Sequence, residues 1–146
     1  MGNTMQLINR LFLVFLLMPM FAFAEDDLSI ELNHFNSDLV QLLILNKGFE
    51  DRKFETNFCL SSHGKLSFQI IGKGNDVYKL SSFLNEKCDS HKELLLEPYR
   101  FVGRIFHIDE FESYYDLKKG MYKIEANVCF SSEECLHSNE LTITVD

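Results

Sequence analysis

The sequence predicts an all-β domain, an antiparallel β-sandwich of about seven to eight short strands. Apolar and polar residues alternate in most segments, and the longest alternating run covers residues 121–130. A period of two over that length is typical of a strand with one buried and one exposed face. Turn signals separate the runs at a spacing typical of sandwiches. No helical pattern is long enough to connect parallel strands, which disfavours an α/β fold.

Five of the strands are predicted in the first half of the domain. Leu28, Ile30 and Leu32 alternate with polar residues and predict the first strand. A denser apolar run predicts a second strand that is covered, at least in part, on both faces. The first-half strands are expected over 28–32, 39–45, 54–60, 66–70 and 77–80, with turns at 46–48 and 72–76.

The second half of the domain predicts three further strands, over 101–108, 121–130 and 141–145. Helical structure is expected only as short pieces. Ser81 is a suitable cap for one or two helical turns over 81–88, and 109–117 can hold another turn.

The first 24 residues are predicted to be a secretory signal peptide. Arg10 precedes an apolar run that ends in Ala22-Phe23-Ala24, the small-x-small pattern of a cleavage site. The run is too short to span a hydrocarbon core of about 30 Å. We therefore expect cleavage between Ala24 and Glu25, a single mature domain over 25–146, and a secreted or periplasmic location.

The composition is that of an acidic globular protein. The 146 residues include 14 Lys and Arg against 22 Asp and Glu, a formal net charge of -8. Loss of Arg10 with the signal peptide makes the mature charge -9, with 13 basic residues left against 22 acidic ones. Nucleic-acid binding needs a basic surface that displaces counterions, so that function is disfavoured. The mature length suffices for one hydrophobic core.

A motif near the end of the chain suggests a family. Residues 114–124 read Y-Y-D-L-K-K-G-M-Y-K-I. This segment resembles the corner before the penultimate strand in immunoglobulin-like sandwiches of secreted bacterial proteins, and it is also similar to the propeptide domain of deuterolysin-type proteases. The resemblance implies an immunoglobulin-like sandwich in which Gly120 permits a turn with positive φ. It also implies that Tyr122 returns its hydroxyl to the upstream backbone, as in a tyrosine corner; the alternative is that Tyr122 is only a core aromatic residue.

Four cysteines in an exported chain predict two disulfides, for which three pairings are possible. Five residues separate Cys129 from Cys135, which suits a bridged hairpin, and this leaves Cys59 with Cys88. Cys59 and Cys129 fall on predicted exposed faces, which disfavours the buried bridge of antibody domains, as does the absence of Trp. Zinc binding is disfavoured because C-x-x-C is missing and only His137 lies near a cysteine at ligand spacing.

No catalytic constellation emerges from the sequence. The five His residues fall on different predicted elements, whereas a nucleophile needs a base beside it. The carboxylates of Asp109, Glu110 and Glu112 are typical of a solvated surface, and nothing predicts an apolar pocket that would raise the pKa of one of them. The sequence therefore predicts no enzyme, no metal site and no cofactor.

The predicted function is that of an exported protein-binding module, of the inhibitor or immunity type that neutralises an enzyme or toxin. Its negative charge favours a basic partner. The protein is expected to be a monomer that binds its partner by loop insertion or edge-strand addition. The predicted contact residues lie in a charged hairpin and in the loop that a Cys129–Cys135 bridge would close: Lys47, Glu50, Asp51, Arg52, Lys53, Glu133 and Glu134.

Two other functions stay open. A structural or adhesion-type envelope module would self-associate or expose an apolar edge. A carbohydrate-binding accessory domain would expose aromatic side chains, for which Tyr114 and Tyr115 are the candidates.

Overall fold

The computed structural model describes residues 27–56, 58, 60, 65–81, 92–130 and 134–146. The predicted signal peptide, residues 1–24, lies outside them. The described residues form ten strands and one helix: β1 (Leu28–His34), β2 (Leu39–Asn46), β3 (Arg52–Thr56), β4 (Leu66–Ile71), β5 (Val77–Tyr78), β6 (Lys92–Leu96), β7 (Phe101–His107), α1 (Ile108–Tyr115), β8 (Gly120–Cys129), β9 (Cys135–His137) and β10 (Leu141–Val145). None of the described helical residues belong to a helix with the length and apolar character needed to cross a membrane.

The first sheet has the order β1-β2-β7, and every pairing in it is antiparallel. Alternate residues of β1 point into the core, as the period of two in the sequence predicts. Alternate residues of β2 do so as well, and the residues between them are half-buried, so the predicted cover on both faces is partial. Ile30 lies opposite Ile44, which lies opposite Val102. Gly103 allows β7 to approach β2 closely, because a β-carbon there would overlap the carbonyl oxygen of Leu42.

The second sheet has the order β10-β8-β4-β5, with β9 also paired to β8. β8 is its longest strand and buries Tyr122, Ile124, Ala126 and Val128 on one face. β3 and β6 form a separate two-stranded ribbon. Every pairing between these strands is antiparallel, so the all-β, antiparallel prediction is confirmed.

The buried faces of the two larger sheets form one hydrophobic core, closed at one side by α1. The ring of Phe68 on β4 meets those of Phe106 on β7 and Phe111 on α1 edge-on, at centroid distances of 5.3 and 4.9 Å. Such aromatic pairs add about 0.5–1.5 kcal/mol each to the burial of their surface. The Phe68 N–H also donates to the Tyr115 hydroxyl at 3.2 Å, which fixes the helix against the second sheet.

The helix begins after His107, whose N–H donates to the Glu110 side chain at 3.0 Å. It ends at Tyr115 and is followed by the C-cap Asp116, which is in the left-handed conformation with φ of 49°. The acidic residues of its first turn, Asp109 and Glu110, suit the positive end of the helix dipole. The structure therefore has an eight-residue helix where the sequence predicts only one helical turn, over 109–117.

The corner before β8 makes the hydrogen bonds that the resemblance implies. The Tyr122 hydroxyl donates to the Lys118 carbonyl at 2.6 Å and accepts from the Lys118 N–H at 3.0 Å. The Tyr122 ring is buried as well, so it is a core residue and a backbone anchor at once. Asp116 supplies the left-handed residue of the turn, and Gly120, with φ of 159°, begins β8.

The predicted Cys129–Cys135 disulfide is confirmed. The two residues lie directly opposite each other on β8 and β9, with a Cα–Cα distance of 4.0 Å. Cys129 lies on the face of β8 away from the core, as the alternation predicts. Cys59 and Cys88 lie outside the described residues, so their pairing stays a prediction.

Several predicted boundaries and strand counts are wrong. The strand expected over 54–60 is β3 at Arg52–Thr56, so it starts and ends earlier. β6 and β9 have no counterpart among the predicted strands, and they raise the number in the described residues to ten. Of the helical turns expected over 81–88, only Ser81 is described, and it is not helical.

Candidate protein-binding surface

Three aromatic side chains stand exposed at one end of the first sheet. Phe49 follows β2 and is 85% exposed, Tyr99 precedes β7 and is 64% exposed, and Phe101 begins β7 and is 65% exposed. We call these three residues the aromatic patch. Exposure of a large apolar ring to water is unfavourable, and its burial against another molecule is favourable. Three exposed rings together therefore mark a surface that suits a binding partner.

The members of the aromatic patch form one continuous surface through a ring contact and a shared pocket. The Phe49 and Tyr99 rings meet edge to face at a centroid distance of 5.6 Å. Tyr99 and Phe101 line a shallow pocket of about 260 Å³, together with Leu45 and Lys47. Leu45 and Phe101 are direct partners across the β2–β7 pairing. Leu45 is half-buried between two buried neighbours and Phe101 is exposed, so both lie on the outer face of the sheet.

Asn46 holds the segments that carry the patch. It is 1% exposed and is the one polar residue that is fully buried in the described part of the chain. Its Nδ2 donates to the carbonyls of Glu50 at 2.8 Å and Leu96 at 2.9 Å. Its Oδ1 accepts from the Gly48 N–H at 3.0 Å. One amide thus fixes the turn after β2 and connects it to the end of β6.

The backbone of Asn46 fixes the other turn. Its carbonyl accepts from the Tyr99 N–H and its N–H donates to the Arg100 carbonyl, both at 2.9 Å. Tyr99 has φ of 57°, a left-handed conformation that is unfavourable for a bulky side chain. Such a conformation costs on the order of 1–3 kcal/mol and persists only where the surroundings enforce it. The Asn46 hydrogen bonds do so here, and they point the Tyr99 ring outward.

A second pocket is lined in part by residues 51–54, which follow the turn that carries Phe49. It has a volume of about 190 Å³ and is lined by charged residues of the predicted hairpin and by Glu134 from the disulfide loop. Phe54 and Phe130 form part of its wall, with ring centroids 4.9 Å apart. The structure therefore brings together four of the residues singled out in the sequence: Asp51, Arg52, Lys53 and Glu134.

The other predicted contact residues have separate positions. Lys47 lies beside the aromatic patch and pairs with Glu31 at 3.4 Å. Lys53 pairs with Glu93 at 3.5 Å. Both ion pairs are exposed, so each contributes at most about 1 kcal/mol. Glu50 is exposed while its carbonyl is held by Asn46. Glu133 lies outside the described residues.

The exposed aromatic residues differ from those that the sequence suggested. Tyr115 is only 4% exposed, and this burial raises its pKa to about 12. The hydrogen bond from the Phe68 backbone lowers the pKa, but its effect is smaller than that of burial. Tyr114 packs against the core. The suggestion that these two tyrosines form an exposed aromatic pair is therefore wrong. The sequence does contain one indication of the exposed aromatic surface: Phe49, a large apolar residue at the start of the charged stretch that follows Gly48.

Another pocket lies at the start of α1 and has a volume of about 650 Å³. It brings His34 and His107 together with the carboxylates of Asp38, Asp109 and Glu112, although the sequence places these residues on different elements. His34 Nε2 lies 2.9 Å from the Thr142 carbonyl. Across the described ranges, no three His, Cys, Asp or Glu side chains are arranged to hold a metal ion.

Comparison of the sequence with protein-family models returns no match, and comparison with curated proteins returns none either.

Proposed function

We propose that this chain is an exported module that binds another protein, and that its contact surface is the aromatic patch with the adjoining Lys47–Phe54 segment. The observation that supports this most directly is the exposure of Phe49, Tyr99 and Phe101 in one connected patch. Aromatic residues and Arg dominate the energetically important centres of protein interfaces. Arg100 lines the same pocket as Tyr99 and Phe101, and Arg52 begins β3, three residues after Phe49.

The rigidity of the surface supports the same proposal. Binding is weakened by the entropy lost when mobile loops become ordered. Asn46 already orders both turns through hydrogen bonds from its side chain and backbone. The conformation of Tyr99 is strained, and strained residues concentrate at functional sites. A core requirement does not explain the strain, because the Tyr99 ring faces solvent.

The charge of the chain indicates the class of partner. With 22 acidic residues against 14 basic ones, long-range attraction would accelerate encounter with a basic protein. We therefore propose a basic enzyme or toxin as the partner, neutralised by a one-to-one complex. Attraction of this kind weakens as salt is added.

We also propose that the sandwich is of the immunoglobulin-like type. The orders β1-β2-β7 and β10-β8-β4-β5 correspond to A-B-E and G-F-C-C′ of that fold. The hydroxyl of Tyr122 bonds to the backbone four residues upstream at the start of β8, which takes the place of strand F. In such sandwiches, loops at one end commonly form the binding surface.

The experiment compares capture of a partner by patch variants of the mature protein, residues 25–146. Phe49→Ser and Tyr99→Gly should each weaken a one-to-one complex at least tenfold, because each removes a large apolar contact. Glycine also relieves the left-handed strain, so Tyr99→Gly should leave the free energy of unfolding within about 1 kcal/mol of wild type. Phe35→Ser is the matched control, because Phe35 is exposed at the opposite end of the β1–β2 hairpin. Equal loss of binding in all three variants would contradict the proposed surface.

A structural module is the second candidate, and one observation favours it. β7 is an edge strand of the described first sheet, and Phe101 and Ile105 are exposed on its outer face. An apolar edge of this kind is a site for strand pairing between molecules. Light scattering after size exclusion separates the two candidates: a monomer over a wide concentration range favours the partner-binding module, and a stable multimer that Ile105→Lys dissociates favours the structural one.

A further inference from the structure

A groove distinct from the aromatic patch lies on the second sheet, where the β4–β5 hairpin meets the start of β8. Its volume is about 480 Å³, within the range of small-molecule pockets, about 300–1,000 Å³. Its floor and rim are formed by Tyr78, Tyr122 and Met121 with the stems of Lys73, Lys119 and Lys123. We call it the tyrosine groove.

The floor of the tyrosine groove is apolar and fixed. The Tyr78 and Tyr122 rings meet edge to face at a centroid distance of 5.3 Å. The Tyr122 hydroxyl is already bound to the backbone of Lys118. Gly72 leaves room for the Tyr78 ring, because a β-carbon there would lie 2.8 Å from it. Met121 is 70% exposed at the rim, so it adds adaptable apolar surface.

The charged side chains that line the groove are all lysines, and the carboxylate of Asp76 lies near Tyr78 outside that lining. No carboxylate is among the described residues that line it, although acidic residues outnumber basic ones in the chain. Lys123 is paired with Glu140 at 2.8 Å. Lys73 and Lys119 form no ion pair within the described part of the chain. Two ammonium groups are therefore available to an anion.

The ammonium groups around the groove are hydrogen-bond donors only, whereas the hydroxyls of Tyr78 and Thr142 can donate or accept. Burial, followed by the charge and hydrogen bonding of Tyr122 and then by the charge of Asp76, raises the pKa of Tyr78, so its hydroxyl stays protonated at neutral pH. An ammonium donates three hydrogen bonds and accepts none. A neutral sugar needs acceptors for its own hydroxyls, and a cation would be repelled. The complementary ligand carries only acceptors on its polar end and an apolar body.

We propose that the tyrosine groove binds a small amphipathic anion, an acyl chain or ring that carries a single carboxylate or phosphate. The apolar body lies on Tyr78, Tyr122 and Met121, and the anionic group lies between Lys73 and Lys119. This site is separate from the protein-binding surface, and neither depends on the other.

The test uses octanoate, octyl phosphate, octanol and octylammonium as probes of the mature protein. Binding is followed by backbone amide NMR, in which Gly72 and Gly120 report from the groove, and by calorimetry. We expect the tighter of the two anions to bind at least tenfold more tightly than octanol, and its affinity to fall as sodium chloride is added. The stronger of octanoate and octyl phosphate identifies the anionic group. Equal affinity of octanol, or amide shifts centred on the aromatic patch, would overturn the proposal.

Variants provide the second arm. The double variant Lys73→Met and Lys119→Met keeps the apolar stems but removes both free charges, so it should lower the affinity for the better anion at least tenfold. Lys118→Met is the matched control, because the Lys118 ammonium is bound to Asp116 at 3.0 Å and does not line the groove. The control should stay within twofold of wild type. A double variant that binds as well as the control would show that the lysines do not hold the anion.

Discussion

Replacement of Asn46 by alanine should lower the free energy of unfolding more than the loss of any other single polar side chain in the described residues. The change removes the donor to the carbonyls of Glu50 and Leu96 and the acceptor for the Gly48 N–H. The bonds to Leu96 and Gly48 are buried, and a buried polar group left without a partner costs about 1–3 kcal/mol. The Glu50 bond is only partly buried, so water replaces it at small cost.

The expected loss is therefore about 3 kcal/mol, a large part of a typical stability of about 5–15 kcal/mol. Urea unfolding followed by circular dichroism measures it directly. Asn36→Ala is the control, because the Asn36 side chain accepts one exposed hydrogen bond, from the Asp38 N–H at 2.8 Å. It should cost less than about 1 kcal/mol. If Asn46→Ala lost no more stability than Asn36→Ala, the role of Asn46 as the anchor of both turns would be refuted.

Three further predictions concern other anchors. Tyr122→Phe should lower the free energy of unfolding by about 1–2 kcal/mol, because the Lys118 backbone loses both bonds to the hydroxyl. Cys129→Ser with Cys135→Ser should lower it by about 2.4 kcal/mol from loop entropy, measured by denaturant unfolding. Tyr115 should titrate well above the ordinary tyrosine value of 10, because burial raises its pKa to about 12. A pKa raised above the ordinary value of 10 means that the stability from its neutral form is complete below about pH 10 and is lost as pH rises towards 12, which the absorbance of tyrosinate and circular dichroism follow together.

Each of these has its own control. Tyr99→Phe removes an exposed hydroxyl and should change the free energy of unfolding by less than about 0.5 kcal/mol, so an equal effect from Tyr122→Phe would contradict the corner. The free energy of unfolding of the reduced wild-type protein should equal that of the cysteine double variant only if no other disulfide contributes to stability. Full ionisation of all tyrosines below pH 10 without loss of structure would contradict the burial of Tyr115.

The alternation of side chains allowed the larger sheets to be predicted, because burial of one face leaves a period of two in the sequence. β1, β2, β4, β8 and β10 all lie within one or two residues of the expected bounds. β6 was missed because its sequence, Lys-Glu followed by three Leu, does not alternate, and its pairing with β3 is a tertiary event. β9 has only three residues and is held opposite β8 by the disulfide.

The candidate surface could be predicted only in part. Local composition predicts the charged hairpin and the disulfide loop, and described residues of both line one pocket. The aromatic patch was missed because its rings come from two turns that are distant in sequence. Asn46, the residue that connects them, lies on the same buried face of β2 as Val40, Leu42 and Ile44. The run before it is apolar on both faces, so the sequence does not single out that face.

The reach of Asn46 has a consequence for how the patch can be recognised. It bonds to Leu96, 50 residues away, and its backbone holds the turn that carries Tyr99. The patch is thus a discontinuous epitope, which exists only in the folded chain. A linear peptide cut from 47–54 or from 97–101 would carry the right side chains in the wrong arrangement. Antibodies raised against such peptides should detect the denatured protein and leave the native surface unblocked.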